Sequence, residues 1–78
     1  MKPEQLIEIM NIRTSWKWSI VENKIDNKKF QIKALKIVDL KAELFITKKF
    51  DVSYEVLQEF PEIIIDSLTN RIREAEGK

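Results

Sequence analysis

Hydrophobic residues in this chain are spaced first as in a helix, then as in strands, and then as in a helix again. Near the N-terminus, Leu6, Ile9 and Met10 lie on one side of a helical projection, which is the pattern of an amphipathic helix. Pro3 suits the first turn, where its missing N–H would have no helical partner. This segment therefore predicts a short helix that begins at Pro3 and ends near Asn11.

Alternation between apolar and polar residues follows the first helix. Trp16, Trp18 and Ile20 alternate with polar residues, as in a strand that buries one face. The dipeptide Asp26-Asn27 suits the tip of a hairpin, because Asp and Asn tolerate positive φ angles. The sequence therefore predicts a β-hairpin that carries both tryptophans on its first strand.

The remaining alternation is too long for one strand. Apolar residues occupy nearly every even position from Phe30 to Ile46, whereas strands seldom exceed about ten residues. A turn near Val38-Asp39 would divide this segment into two strands. A helix over 35–49 is the alternative, although its apolar face would be less regular. We therefore predict a three-stranded antiparallel meander with strands at about 14–24, 28–37 and 41–49.

The hairpin tip also predicts a pairing register. Pairing about Asp26-Asn27 would set Trp18 opposite Leu35. It would likewise set Trp16 opposite Ile37, so that these four residues share one face of the sheet. The even-numbered apolar residues of the second strand would then lie on the other face. Both faces would be partly apolar, whereas a single layer of helices can bury only one of them.

A helix interrupted by proline is predicted for the last third of the chain, packed on the sheet. Ser53 is a suitable N-cap, because its hydroxyl can accept a hydrogen bond from a free N–H of the first turn. Pro61 interrupts the helix, because the residue before a proline avoids the helical region. The helical spacing continues across the proline through Leu57, Phe60, Ile64, Leu68, Ile72 and Ala75.

Three consecutive isoleucines, at 63–65, follow this proline. Successive helical residues lie about 100° apart around the axis, so the three cannot all face the same way. At least one of them must face away from the side that packs on the sheet. We take Ile63 and Ile65 as candidate contacts with another protein chain. The alternative is a wide helix face that is buried within the domain.

Size and composition favour association with another chain. The 78 residues, predicted to form a single domain over 1–78, include no cysteine and no histidine. A core of this size supplies only about 3–5 kcal/mol on its own, and small domains commonly add disulfides, metals or oligomerisation. Disulfides and zinc sites require Cys or His. A homo-oligomer, or a complex with another protein, is therefore expected.

The same composition bears on the compartment. A chain without cysteine fits a reducing environment, and no apolar run reaches the roughly 18 residues of a membrane span. The N-terminal segment carries acids and lacks the apolar part of a signal peptide. We therefore expect a protein of the cytoplasm or of a viral particle, with no membrane partner. The composition is typical of a phage or viral accessory protein, or of a small bacterial regulator.

Charge is divided unevenly between the two parts of the chain. Residues 1–50 hold 11 Lys and Arg against 6 Asp and Glu, a balance of +5, and residues 51–78 hold 3 against 7, a balance of −4. Such asymmetry concerns association and not fold. The basic part can meet nucleic acid, or it can meet the acidic part of a neighbouring copy.

Most catalytic chemistry is excluded by the residues that the chain lacks. Without His or Cys, mechanisms based on imidazole or a thiol nucleophile cannot operate. The single glycine, at position 77, cannot form a glycine-rich phosphate loop. Carboxylates between Glu55 and Asp66 form a stripe along a helix and do not converge. We therefore predict a protein that is not an enzyme, with no cofactor, no metal and no small-molecule substrate.

Trp16, Trp18 and the nearby lysines form the sharpest candidate binding site. Aromatic rings on a strand can stack on bases while lysines contact phosphates. The alternative is that both rings belong to the core and that the lysines form a solvated face or protect a strand edge. Alternate residues of a strand point to opposite faces, so Lys17 points away from the rings. The candidate lysines are Lys17, Lys24, Lys28, Lys29 and Lys33.

These patterns together predict an α+β domain. It has a short N-terminal helix, a three-stranded antiparallel meander and a proline-interrupted C-terminal helix on the sheet. The favoured function is a non-catalytic protein-interaction, assembly or regulatory module that associates with itself. The candidate protein contacts are Trp16, Trp18, Ile63 and Ile65. The alternative function is single-stranded nucleic-acid binding by the tryptophans and lysines of the hairpin.

Overall fold

The computed structural model describes residues 1–21 and 28–76. The elements in order are α1 (Pro3–Arg13), β1 (Lys17–Val21), β2 (Lys29–Asp39), β3 (Leu44–Ser53), α2 (Tyr54–Glu59) and α3 (Pro61–Glu76). The strands form one antiparallel sheet in the order β1-β2-β3. The predicted α+β fold is therefore confirmed, although β1 begins at Lys17 rather than near residue 14 and β3 continues to Ser53. The predicted tip at Asp26-Asn27 lies outside the described residues.

Both ends of α1 use side chains to satisfy backbone groups. The helix begins at Pro3, and Gln5 Oε1 accepts a hydrogen bond from the backbone N–H of Lys2 at 2.8 Å. At the other end, the N–H and the hydroxyl of Thr14 donate to the Met10 carbonyl at 3.0 and 2.9 Å. Thr14 thus satisfies a carbonyl that the end of a helix leaves without an intrahelical partner. The helix runs two residues further than the sequence predicts.

The register between β1 and β2 differs by one residue from the predicted register. Trp18 lies opposite Ala34, and Leu35 lies opposite Lys17. A shift of one residue moves a side chain to the other face of the sheet. The prediction that the tryptophans share a face with Leu35 and Ile37 is therefore wrong. It assumed a two-residue tip, whereas the observed register gathers the large apolar side chains on a single face.

The core lies between that face of the sheet and the helices. Trp18, Phe30, Ile32, Ala34 and Val52 are each at most 4% exposed. No residue on the opposite face of the described strands is buried. One layer of helices therefore covers one face, as the predicted architecture requires. The helical residues of the core are Leu6, Met10, Leu57, Ile65, Leu68 and Ile72.

Part of the sheet extends beyond the core. Among the described residues, β1 pairs with β2 from Gln31 to Leu35, and the sheet continues past Leu35 as a ribbon of β2 and β3. Every residue from 37 to 47 is exposed. The Cα radius of gyration is 12.9 Å, whereas a compact domain of this length would have about 11.5 Å. We call residues 36–47 the hairpin arm, because they project from the packed part of the fold.

A turn at residues 40–43 closes the hairpin arm, directly after the predicted position at Val38-Asp39. The Oδ1 of Asp39 accepts hydrogen bonds from the backbone N–H groups of Lys41 and Ala42 at 3.0 and 3.3 Å. The N–H of Glu43 donates to the Leu40 carbonyl at 3.3 Å, and Glu43 has a φ of 54°. Such a φ is costly for a residue with a Cβ. The Asp39 side chain therefore orders a turn that contains no glycine.

The interruption between α2 and α3 occurs at the predicted proline. Ser53 Oγ accepts a hydrogen bond from the Val56 N–H at 3.3 Å, so Ser53 is the N-cap of α2. Phe60 ends α2 with φ −136° and ψ 59°, outside the helical region, and α3 begins at Pro61. The predicted apolar stripe is only partly correct. Phe60 on that stripe is exposed, whereas Ile65, off the stripe, is buried.

The N-cap of α2 can be tested directly. Ser53→Ala removes the acceptor for the Val56 N–H, and we expect the free energy of unfolding to fall by about 1 kcal/mol. Ser67→Ala is the matched control, because Ser67 is exposed within α3 and alanine is favoured in helices. Urea denaturation followed by tryptophan fluorescence measures both variants. An equal loss of stability in the two would contradict the capping role of Ser53.

Candidate interaction surfaces

Both tryptophans lie in the core. Trp16 is 2% exposed and Trp18 is 4% exposed. The Trp18 ring stacks on Phe50 with 5.9 Å between ring centroids, and its indole N–H donates to Thr14 Oγ1 at 2.8 Å. Neither indole presents a free face for stacking on a base. A nucleic-acid site built from these rings would therefore require the core to open.

The outer edge of β1 is closed by α1. Asn11 Oδ1 accepts a hydrogen bond from the backbone N–H of Trp18 at 2.8 Å, and Asn11 Nδ2 donates to the Trp18 carbonyl at 3.5 Å. A side-chain amide has one donor and one acceptor side, so it can pair with a peptide group much as another strand would. The backbone of β1 is therefore occupied at this position, and β3 is left as the open edge of the sheet.

A carboxylate at the end of α3 joins that helix to the sheet. Glu76 Oε2 accepts hydrogen bonds from the Trp16 indole N–H at 3.1 Å, the Lys36 ammonium at 3.2 Å and the Ser15 hydroxyl at 3.4 Å. The bonds from Trp16 and then Lys36 hold the pKa of Glu76 below its ordinary value. The Lys36 Nζ also lies 6.0 Å from the Trp16 ring centroid. This cluster closes one end of the core and leaves Trp16 no free donor.

The hairpin arm carries a concentrated set of exposed apolar side chains. Scattered apolar residues on a surface are ordinary, whereas a contiguous patch on a small protein marks an interaction site. Six of the exposed apolar residues lie within ten positions of this ribbon, with exposed fractions of 72% for Leu40, 55% for Leu44, 54% for Val38, 50% for Phe45, 47% for Ile37 and 39% for Ile46.

Sequence reasoning expected one apolar face of the sheet to need a cover, but it assigned the candidate contacts of the sheet to Trp16 and Trp18 and so missed the hairpin arm. A signal was present in the pattern. Ile37 and Phe45 are apolar at odd positions, and they are cross-strand partners on the face that no helix covers. Apolar residues on both faces of one ribbon are unfavourable in water unless another surface covers them. That combination points to the arm as a contact surface.

Ile63 is the exposed member of the four predicted protein contacts. It is 62% exposed, whereas Ile65 is 8% exposed. Ile63, Val56 and Phe50 line a groove of about 230 Å³ between β3 and the helices. That volume is below the about 300–1,000 Å³ of small-molecule sites. The groove therefore fits a side chain of a partner better than a cofactor.

The face of the sheet without helices is basic near the core. Lys33 and Lys49 lie directly opposite each other, and like charges in such pairs destabilise a sheet. Lys17 and Lys29 lie on the same face, and these four residues, which we call the basic face, have no ion pair within the described part of the chain. Among the described strand residues between the core and the arm, Asp51 is the one acid on this face. Of the other predicted lysines, Lys28 precedes β2 and Lys24 lies outside the described residues.

Two further kinds of feature, metal sites and membrane-spanning helices, were sought among residues 1–21 and 28–76. No group of acidic side chains there is arranged to hold a metal ion, and none of the helices has the length and apolar character needed to cross a membrane. Comparison with protein-family models, with characterised proteins and with solved structures finds no match to this chain. The surfaces described above are therefore the basis for inferring function.

The Glu76 cluster predicts a pH dependence of stability. The pKa of Glu76 is lowered in the folded chain from its usual 4.5, so the stabilisation is complete above pH 4.5 and is lost as the pH falls through the folded value. We expect the wild-type chain to exceed Glu76→Gln in stability at neutral pH and this difference to vanish in acid. Glu74→Gln, at an exposed position of the same helix, is the control. Urea midpoints measured between pH 7 and pH 3 test it, and a difference that does not change with pH would contradict it.

Proposed function

We propose that this chain is a non-catalytic assembly module that associates with itself, and that the hairpin arm is its main contact surface. One observation carries the proposal. Six large apolar side chains are between 39% and 72% exposed on a single projecting ribbon. Water contact with such a patch is unfavourable. Covering the arm with a protein surface would remove this cost.

The arm is large enough for a stable interface. A standard interface buries about 800 Å² on each partner, which is roughly a seventh of the 5833 Å² that the chain exposes. The arm contributes 12 of the 78 residues, and all of them except Lys36 are exposed. Apolar area that leaves water contributes about 25 cal/mol per Å². The arm can therefore supply most of an interface of ordinary size.

The small core gives a second reason for association. Twelve hydrophobic residues form the core, and as many large hydrophobic residues are exposed in the described part of the chain. A partner that binds only the folded state stabilises that state by mass action. Self-association would thus provide the stability that a disulfide or a zinc site provides in other small domains.

Of the four contact residues predicted from the sequence, this proposal gives a direct role to one. Ile63 is free to contact a partner, beside the groove between β3 and the helices. Trp16, Trp18 and Ile65 are buried, so they would influence association only through the fold that they stabilise. Substitution of a buried residue would therefore not separate folding from assembly, and the test must use the arm.

A paired substitution in the arm tests the proposal. We expect sedimentation equilibrium to give a mass above 9.3 kDa for the wild-type chain. Ile37→Thr combined with Phe45→Thr removes exposed apolar surface but keeps residues that favour strands. We expect this variant to weaken association at least about tenfold, because each copy loses buried apolar area.

Ile12→Thr is the matched control for this experiment. Ile12 is 82% exposed on α1, so the change is chemically similar but lies outside the arm. Circular dichroism is used to check that both variants remain folded. A wild-type chain that stays at 9.3 kDa up to about 1 mM, the weak limit of useful affinity, would contradict self-association. Equal weakening by Ile12→Thr would contradict the role of the arm.

A second candidate function is binding of single-stranded nucleic acid on the basic face. The opposed Lys33 and Lys49, with Lys17 nearby, would gain from neutralisation by a phosphate backbone. Phe45 shares this face and is 50% exposed, so it offers a ring on which a base can stack. This candidate keeps Lys17, Lys29 and Lys33 of the predicted lysines, adds Lys49, and replaces the buried indoles with Phe45.

Fluorescence anisotropy of a labelled single-stranded oligonucleotide tests the second candidate. We expect binding that weakens steeply with salt, and Lys33→Gln should lower the slope of log K against log salt by about 0.7. Lys41→Gln, in the turn of the arm, is the control and should leave the slope nearly unchanged. Absence of binding at 20 mM salt, or equal effects of the two substitutions, would contradict this function.

A further inference from the structure

We infer that β3 pairs with β3 of a second copy, antiparallel and about a two-fold axis at Ile46. The two three-stranded sheets would then join into one continuous sheet. This inference rests on the proposed self-association and specifies its geometry. It would cover the open edge of the arm with backbone hydrogen bonds as well as with apolar side chains.

β3 is the strand that can accept a new neighbour. It is ten residues long, and within the described residues only β2 pairs with it. β1, the other edge strand, has five residues, and Asn11 occupies the N–H and carbonyl of its Trp18. An edge with unpaired backbone groups is a template for another strand. The edge of β3 is therefore the one that can pair with a strand of a second copy.

Symmetry restricts how two copies of β3 can pair. A two-fold axis between antiparallel strands stands perpendicular to the sheet, so the core faces of both copies lie on the same side. Residues directly opposite each other in antiparallel strands point to the same face. The residue numbers of each pair must therefore sum to an even number, and the axis passes through a residue that faces its own copy. An axis at Leu44 would leave no other residue of β3 paired, so among the first residues of β3 the axis residue is Phe45, Ile46 or Thr47.

Charge distinguishes among these three registers. With the axis at Phe45, Lys49 would lie past the end of β3 of the second copy, beside Lys41 in its turn, and the like charges would repel. With the axis at Thr47, Lys49 would lie opposite the Phe45 side chain of the second copy and gain no charged partner. With the axis at Ile46, Lys49 would lie beside Glu43, in the turn directly before β3 of the second copy; the long Lys49 side chain could reach this carboxylate, and symmetry would repeat the ion pair. The axis at Ile46 is thus the favourable register.

The same register suits the apolar side chains. Ile46 would face Ile46 of the second copy, and Leu44 would lie against the aliphatic stem of Lys48. Registers further along β3 would instead set Lys48 or Lys49 opposite its own copy. Lysines on an edge strand commonly prevent pairing. Here they would exclude the longer registers and leave the one centred on Ile46.

Cysteine cross-linking tests the register, because the chain has no native cysteine. In Ile46→Cys, the two facing Cα atoms would be about 4.5–5.5 Å apart, within the range of about 4.4–6.8 Å that a disulfide spans. In Leu44→Cys, the two cysteines would be displaced by four residues, about 13 Å, and could not bond. Leu44 is at least as exposed as Ile46, so it is a matched control. We expect mild oxidation to link Ile46→Cys at least about tenfold faster than Leu44→Cys.

A charge exchange tests the same register without a covalent bond. Lys49→Glu and Glu43→Lys should each weaken the dimer about tenfold, because an attraction becomes a repulsion at two symmetric positions. The double variant should recover affinity to within about twofold, because the ion pair is restored in reverse. Lys49→Glu also relieves the repulsion from Lys33, so the fold is retained. Lys17→Glu, on β1, is the control with the same change of net charge.

The outcomes separate this inference from the proposed function. A wild-type chain that remains monomeric would overturn both. A dimer in which Leu44→Cys cross-links as readily as Ile46→Cys would overturn the register and leave self-association standing. A charge-exchange double variant that dimerises as weakly as either single variant would also overturn the register and leave self-association standing. Selective cross-linking at Ile46 together with charge-exchange rescue would support pairing through β3.

Discussion

The register between β1 and β2 is the constraint on which the rest of the structure depends. By setting Trp18 opposite Ala34 and Ile20 opposite Ile32, it puts the largest apolar side chains on one face. The helices cover that face, and Trp18, Ile32 and Ala34 become inaccessible to water. A shift of one residue would divide these side chains between two faces. Because the register concentrates the core on one side, the basic face and the hairpin arm are left outside it.

Much of the fold could be predicted because its signals are local. The proline at the start of α1, the cap at Ser53 and the break at Pro61 each act within one helical turn. The register could not be predicted in the same way. The alternation alone does not say whether Trp18 pairs with Ala34 or with Leu35, and the two pairings put different side chains on the face that Trp18 shares. The choice between Ile64 and Ile65 as the buried residue depends on the rotation of α3 about its axis, which the sheet determines and the spacing does not.

The candidate site was harder to predict than the fold. Alternation identified Trp16 and Trp18 as residues of one face, but it could not show whether that face was covered. It also could not show that β1 begins at Lys17, opposite Leu35, so that β2 and β3 continue beyond Leu35 as the arm. Ile37 and Phe45 are exposed because they lie on the face that no helix covers, and Ile46, on the other face, is exposed because the helices do not reach the arm. Surface function in a small domain thus depends on where the neighbouring elements end, which is a long-range property.

The opposed Lys33 and Lys49 have a consequence for how the chain responds to its ionic surroundings. Their mutual repulsion acts across adjacent strands, at a separation shorter than the roughly 10 Å Debye length of 0.1 M salt. Added electrolyte screens this repulsion, so rising salt should stabilise this part of the sheet. An anion held between the two ammonium groups would relieve it more fully. Multivalent anions should therefore stabilise this face of the sheet more than a monovalent salt of the same ionic strength does.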